Sequence, residues 1–331
     1  MQAQKIVVLG TGGTIAGTAA SATDNLGYSA AQIGVRQLLA AVPTLADSGL
    51  ELVSEQVAQI DSKDMSWAVW QRLLRRCVHW LGQADVQGLV ITHGTDTLEE
   101  TAFLLQALLA PSKPIVLTCA MRPATSISPD GPQNLVDALC VASHAGACGV
   151  SVVCAGTIHS AIDVQKVDTW RLDAFSSGDG GALGYVQQGR LHMSRPWVAG
   201  QARLGAGALE GVLGLASLPR VEIVWSHAQA SGATVDVLVA AELAQGYGAA
   251  PVRGLVVAAT GNGTVHQELQ AALLRAQAQG IPVWRASRCA QARIAPTPND
   301  VFPASQGLTP VKARIALMLE LAAQCAASDQ P

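Results

Sequence analysis

The side chains of this chain best suited to chemistry are threonine hydroxyls carried in two glycine-rich turns. The first turn, Thr11-Gly12-Gly13-Thr14, follows the apolar run Ile6-Val7-Val8-Leu9-Gly10. The second, His93-Gly94-Thr95-Asp96-Thr97, follows Leu89-Val90-Ile91-Thr92. Glycine lets a turn adopt positive φ and lets a ligand approach main-chain N–H groups closely. Such N–H groups can hold a developing oxyanion, and one donor is worth about 2.7–4 kcal/mol. A threonine hydroxyl is a weak nucleophile until a neighbour takes its proton. Thr14 and Thr95 are therefore candidates for acyl chemistry. Nucleotide readings of the first turn fail. A dinucleotide fingerprint would place Gly or Ala where Ile15 stands, and a P-loop would end in a lysine that does not occur there.

Both turns need strand ends to hold them. Apolar, β-branched runs predict strands at about 5–9, 50–58, 87–92, 114–119, 149–155, 221–225, 254–259 and 281–286. A helix is predicted over 66–81, with Trp67, Trp70, Leu74, Cys77 and Leu81 on one face and Gly82 just beyond. Another is predicted over 98–109, with Leu98, Ala102, Leu105 and Leu109 on one stripe. Thr97 and Glu100 have capping-box spacing at its start, and Asp96 is a second candidate cap. Ala-rich helices at 234–246 and 265–279 follow, and a last one near 310–323 opens on Thr309-Pro310. This alternation predicts an α/β protein with mostly parallel sheets. Its N-terminal domain is expected over 1–200, a Gly/Ala-rich linker at 201–217 and a second domain over 218–331. In open α/β sheets ligands bind outside the carboxyl ends of the strands, so the two threonine turns can converge on one cleft.

Together the two turns make the chain resemble the bacterial-type L-asparaginase family, whose two signature segments look like Thr11-Gly12-Gly13-Thr14-Ile15 and Thr92-His93-Gly94-Thr95-Asp96-Thr97. The likeness extends along the chain. Tyr28 with Ile33-Gly34-Val35 resembles that family's lid over the first threonine, and Gln59-Ile60-Asp61-Ser62-Lys63-Asp64 its substrate-carboxylate loop. Cys119-Ala120-Met121-Arg122-Pro123, Asp130-Gly131-Pro132, Asp163-Val164-Gln165-Lys166 and Gly261-Asn262-Gly263 match further segments in order.

The resemblance implies two α/β domains, the smaller C-terminal one flavodoxin-like, and hydrolysis of L-asparagine to L-aspartate and ammonia. It implies that Thr14 attacks and forms a β-aspartyl ester while Tyr28 closes over it. Thr95, Lys166 and Asp96 would form a second constellation, in which Thr95 aids proton transfer and holds the water. A desolvated lysine can act as a base. Asp96 would pair the substrate ammonium, Ser62 with its loop N–H groups would meet the carboxylate, and Gly94 would line the site. Apart from the resemblance, the charge of the neighbouring Lys63 is expected near that carboxylate. The Ala120 carbonyl would accept from the leaving amide. Asn262 would reach in from a neighbouring subunit of an intimate dimer, with a homotetramer, a dimer of dimers, as the implied assembly. His93 adjoins Thr95 but resembles a residue that is not the proton acceptor, and beside Gly94 it is expected to orient the turn. The chain departs from the family pattern in three places. Lys63 replaces a neutral amide or acid, Ile162 stands where arginine is common, and the segment 288–306 lacks glutamate, with Asp300 its only acid.

Composition narrows the class. The 331 residues are half apolar, ample for two cores, with a formal net charge of −3 from mixed acids and bases. That balance provides no basic footprint for nucleic acid. No apolar run approaches the roughly 20 residues needed to span a membrane. The start Met-Gln-Ala-Gln-Lys enters a strand almost at once, so no signal peptide is expected and the cytoplasm is the expected compartment. The seven cysteines include no Cys-x-x-Cys pair and read as buried hydrophobes in a reducing environment. The histidines show no zinc spacing, and neither metal nor cofactor is expected. Rival readings are a glutaminase-asparaginase of broad specificity, an ammonia-supplying subunit of a tRNA amidotransferase, and a catalytically inactive amino-acid sensor. The second would need an added N-terminal domain. The third sits badly with an intact set of Thr14, Tyr28, Thr95, Asp96 and Lys166.

Overall fold

The computed structural model describes residues 4–45, 49–199, 202–204, 208–240, 250–291 and 293–328. The chain divides into two compact units, Met1–Arg203 and Leu204–Pro331.

The first unit is built on β1 (Gln4–Gly12), which opens into the first threonine turn. Ile6, Val7, Val8 and Leu9 are each completely buried, because both faces of the sheet are covered. That is why the strand reads as a continuous apolar run and not as an alternation. A short ladder of β2 (Thr18–Ala19) and β3 (Tyr28–Ser29) then folds back beside the turn. Helix α1 (Val35–Ala40) leads to β4 (Leu50–Ile60), α2 (Trp67–Leu81) and β5 (Val86–Thr92). After these come α3 (Leu98–Leu109), β6 (Ile115–Thr118), α4 (Gly131–Ala142) and β7 (Val150–Cys154). Strands β4, β1, β5, β6 and β7 are all parallel neighbours in that order. Their register aligns Gly10 with Thr92 and Thr92 with Thr118, so both threonine turns leave the same edge of the sheet.

Beyond β7 the sheet continues with antiparallel strands that periodicity did not predict. These are β8 (Thr157–Ser160), β11 (Gly184–Gln187) and β12 (Arg190–Met193). Their hairpins turn through Ala155-Gly156 and Gln188-Gly189, each pair with positive φ at both residues. Two residues at positive φ match the twist of a two-residue hairpin, but Ala-Gly and Gln-Gly lack the Asn or Asp that announces one. A separate ladder of β9 (Gln165–Lys166) and β10 (Phe175–Ser176) holds the lysine loop.

Two helical expectations change. In α3 Leu98, Ala102 and Leu105 of the predicted stripe are buried and Leu109 is half-buried, while Thr101, Phe103, Leu104, Gln106 and Leu108 are buried too, so the helix is enclosed on more than the one face expected. Thr97 occupies the N-cap position of α3, yet its side chain makes no cap. Its hydroxyl instead donates to the Ser62 carbonyl oxygen at 2.7 Å.

In the second unit, β13 (Arg220–Trp225), β14 (Val252–Ala259) and β15 (Val283–Ser287) form a parallel sheet. Val224, Leu255, Val257, Leu269, Leu273 and Phe302 pack its core. Helices Ala233–Val239 and Gln267–Ala278 flank it, and Pro310–Ser328 packs across β13 and β14. The rest of the helix expected over 234–246 lies largely outside the described residues. Within 201–217, helix Ala208–Gly214 packs on Pro310–Ser328, so part of the expected linker belongs to this second unit. Among the described residues no helix is long and apolar enough to cross a membrane.

Candidate active site

The two threonine turns meet backbone to backbone. A Cβ on Gly13, whose φ is +82°, would stand 2.3 Å from Gly94 Cα, and one on Gly94 would stand 2.5 Å from Ser62 Oγ. No side chain fits between these loops, so glycine is required for the hydroxyls they carry to converge. Thr11 does not face outward. Its hydroxyl donates to the Thr92 carbonyl oxygen at 2.9 Å and stitches β1 to β5. Thr14 opens a short 3₁₀ turn, Thr14–Ala16, whose first N–H groups have no partner within the turn. Its hydroxyl oxygen lies 2.7 Å from the Tyr28 hydroxyl. Tyr28 is held there by the β2–β3 ladder and by Asp24, whose Oδ1 accepts from the Leu26 and Gly27 N–H groups at 2.9 and 2.7 Å.

Opposite stands the second set. Lys166 Nζ donates to Thr95 Oγ1 at 2.8 Å and to Asp96 Oδ1 at 2.7 Å. Thr14 and Thr95 are both only 6% exposed, whereas the Asp96 side chain is 52% exposed. An ion pair so open contributes little to stability, which leaves Asp96 free of any large structural task. The lysine is steered by its surroundings. Its N–H donates to Glu99 Oε1 at 3.2 Å, and Asp163 in the preceding turn is bound by Ser160 and Arg195. Ser62 is buried and its Oγ accepts from the Asp96 N–H at 3.2 Å, tying the third loop to the second. Ala120, at the end of β6, is fully buried against Ile15 and Ala16. Thr14, Tyr28, Thr95, Asp96 and Lys166 line one cavity of about 350 Å³, together with Asn25, Leu26, Met121, Arg122, Thr169 and Trp170. Among the described residues no three His, Cys, Asp or Glu side chains gather as a metal site.

Two family models cover most of the chain. The description "Asparaginase, N-terminal" matches residues 5–199, and "Glutaminase/Asparaginase C-terminal domain" matches 220–329. The chain belongs to the asparaginase family. It is 38% identical to L-asparaginase 2 of Escherichia coli (strain K12), over 96% of this chain and 88% of that one. It is 37% identical to the glutaminase-asparaginase of Pseudomonas fluorescens biotype A, over 96% and 86%. The crystal structure of a probable cytoplasmic L-asparaginase from Campylobacter jejuni superposes with a TM-score of 0.86 at 34% identity, covering 98% of each chain. An asparaginase is an amidohydrolase, and a pair of buried hydroxyls beside a lysine suits that chemistry.

Three polar residues of this asparaginase are engaged within their own units. Lys63 is 61% exposed and pairs with Asp61 and Asp64 at 3.0 and 2.9 Å, and it is not among the residues lining the cavity. The two acids of its own loop are closer partners than any group of the site. Asn262 lies in the second unit, where both ends of its amide bind Ala295, at 3.0 Å to the carbonyl and 2.7 Å from the N–H. Asp300 is engaged by Arg285 at 2.6 Å and by Thr297, whose hydroxyl bond holds the carboxyl below its usual range.

Sequence reasoning missed two supports. Asp130 accepts from the Met121 and Arg122 N–H groups, both at 2.9 Å, and Asn134 Nδ2 donates to the Cys119 carbonyl oxygen at 3.0 Å, so the start of α4 clamps the loop that carries Ala120. Glu99, in the first turn of α3, is the other: it braces Lys166 by accepting its backbone N–H. The spacing Asp130-x-x-x-Asn134 was visible, but spacing cannot say which loop a helix start will face.

Proposed function

We propose that this asparaginase hydrolyses L-asparagine through a covalent Thr14 ester. Thr14 Oγ1 attacks the side-chain amide carbon, and Tyr28, 2.7 Å away, is the neighbour placed to take its proton. The N–H groups at the head of the 14–16 turn receive the oxyanion. The proton that Tyr28 takes from Thr14 is passed to the amide nitrogen, which leaves as ammonia against the Ala120 carbonyl, and a β-aspartyl ester remains. Water held by Thr95, with Lys166 and Asp96 behind it, then attacks the ester, releases aspartate and restores Thr14. Asp96 pairs the substrate ammonium, while Ser62, whose Oγ accepts from the Asp96 N–H, and Gly94 back the carboxylate end. The observation that carries this reading is the convergence of two threonine hydroxyls on one cavity, each with its own proton partner, Tyr28 for Thr14 and Lys166 for Thr95.

A broader glutaminase-asparaginase activity is the second reading, favoured by relatives that carry that name. The test is ammonia release from asparagine and glutamine measured side by side, with the quenched enzyme examined by mass spectrometry for an acyl group on Thr14. Turnover of asparagine without any Thr14 adduct in a trapping experiment would remove the ester. Comparable turnover of both amides would establish the second reading. We further propose a cytoplasmic homotetramer, a dimer of dimers, in which Asn262 completes a neighbouring chain's site.

A further inference from the structure

We infer that His93 is a positioning residue at the head of the second threonine turn, driven by a one-way hydrogen-bond chain that runs Trp70 to Thr101 to His93 to the Gly94 carbonyl. This rests on the reading of Thr95 as a member of the reacting set. His93 and Thr101 are completely buried and Trp70 is 6% exposed. Trp70 Nε1 lies 2.9 Å from Thr101 Oγ1, Thr101 Oγ1 lies 2.9 Å from His93 Nε2, and His93 Nδ1 lies 2.7 Å from the Gly94 carbonyl oxygen.

The ends of the chain settle its direction. A carbonyl oxygen only accepts, so His93 Nδ1 carries the proton. An indole N–H only donates, so Thr101 accepts from Trp70 and sends its own proton to His93 Nε2. The imidazole is therefore the neutral Nδ1–H tautomer, with both nitrogens engaged. Burial pushes the imidazole down to about 4, in keeping with this assignment. With neither nitrogen directed at Thr95, His93 is not the base its position beside Thr95 suggests. It acts through the peptide it holds. The Gly94–Thr95 peptide is planar, so fixing its carbonyl on one side fixes the Thr95 N–H on the other. That N–H meets no acceptor among the described residues, and the Thr95 side chain lines the cavity. The chain thus sets the orientation of Thr95 from α2 and α3, two helices that supply no reacting group. Bonds in such a series polarise one another, so a break at its middle is felt at the end.

Thr101 is the place to test it, because valine keeps its shape and serine keeps its hydroxyl. Thr101→Val is expected to lower kcat for asparagine at least tenfold with KM within about twofold, and Thr101→Ser to stay within about threefold of the parent kcat. A packing role would give the opposite order, since valine preserves volume and serine does not. Valine at parental kcat, or serine as impaired as valine, overturns the proposal. Imidazole ¹⁵N spectra of the intact, histidine-labelled protein provide a readout independent of turnover. The His93 signals, assigned with His93→Asn, should show a neutral Nδ1–H ring at pH 7, with the Nε2 signal displaced in Thr101→Val. An Nε2–H tautomer overturns the chain even in an active enzyme. Absence of asparagine turnover in the parent protein would instead count against the proposed function, and the spectra would still decide the chain.

Discussion

Thr14 and Thr95 are small buried side chains whose polar partners are Tyr28 and Lys166, with no helix or ladder depending on them. Thr14→Ala and Thr95→Ala should therefore leave the melting temperature nearly unchanged. Each should lower kcat by 10³-fold or more, on the order of 4 kcal/mol of transition-state stabilisation. Steady-state ammonia release and a thermal melt on the same preparations check both halves. A variant keeping a tenth of parental kcat has lost no member of the mechanism. Lys63 makes the contrast. Its charge was expected beside the substrate carboxylate, but the side chain is well exposed and already paired with Asp61 and Asp64. Lys63→Gln should accordingly leave KM for asparagine within about twofold, as removal of an exposed pair usually does. A several-fold rise in KM would mean that the lysine swings to the substrate.

At the scale of elements, the decisive feature is two strand-end turns in van der Waals contact through Gly13 and Gly94. An alanine at Gly13 meets the Gly94 backbone at 2.3 Å and must also hold a φ of +82°. Backbone cannot yield as a flexible side chain does. Gly13→Ala should cost about 2–4 kcal/mol of stability, combining overpacking with positive-φ strain, and should misplace Thr14. Denaturant unfolding and kcat, measured together, test this. Loss of activity at unchanged stability would mean that the loops part without cost. The helices matter here as clamps. Asp130 and Asn134 at the start of α4 fix the end of β6, and α3 braces Lys166 through Glu99.

For the whole molecule, two consequences can be measured. His93 titrates near 4 in the folded chain against an ordinary value of 6.5, because burial penalises its cation. Between these values the unfolded chain binds a proton that the folded chain refuses, so stability rises with pH across the window and is lost as pH falls. The loss approaches about 3 kcal/mol near pH 4. Unfolding free energies between pH 4.5 and 7.5 should slope accordingly, and His93→Asn should flatten the slope. An equal slope in that variant would assign it to other groups. The second consequence concerns assembly. If Asn262 completes a neighbour's site, Thr14→Ala and Asn262→Ala chains refolded together should form mixed oligomers in which some sites hold both native residues. Activity should then exceed that of either parent preparation. No recovery in verified mixed oligomers would return Asn262 to its local role at Ala295.

What the sequence determined by itself was the family and the main parallel scaffold. Runs such as Ile6–Leu9 announce buried strands because both faces are covered, and the glycine-threonine turns after them announce what those strands present. These signals are local, so they survive without a third dimension. Tertiary structure alone decided the rest. It decided that Lys63 turns to its own loop, that Thr97 binds Ser62 instead of capping α3, and that Glu99, Asp130 and Asn134 brace the site. It also decided the hairpins at Ala155-Gly156 and Gln188-Gly189, where the backbone holds a non-glycine residue at positive φ. For Lys63 and Thr97 two or more partners compete for one polar group. Which of them wins depends on distances between segments far apart in the chain, and spacing along the sequence does not record those distances.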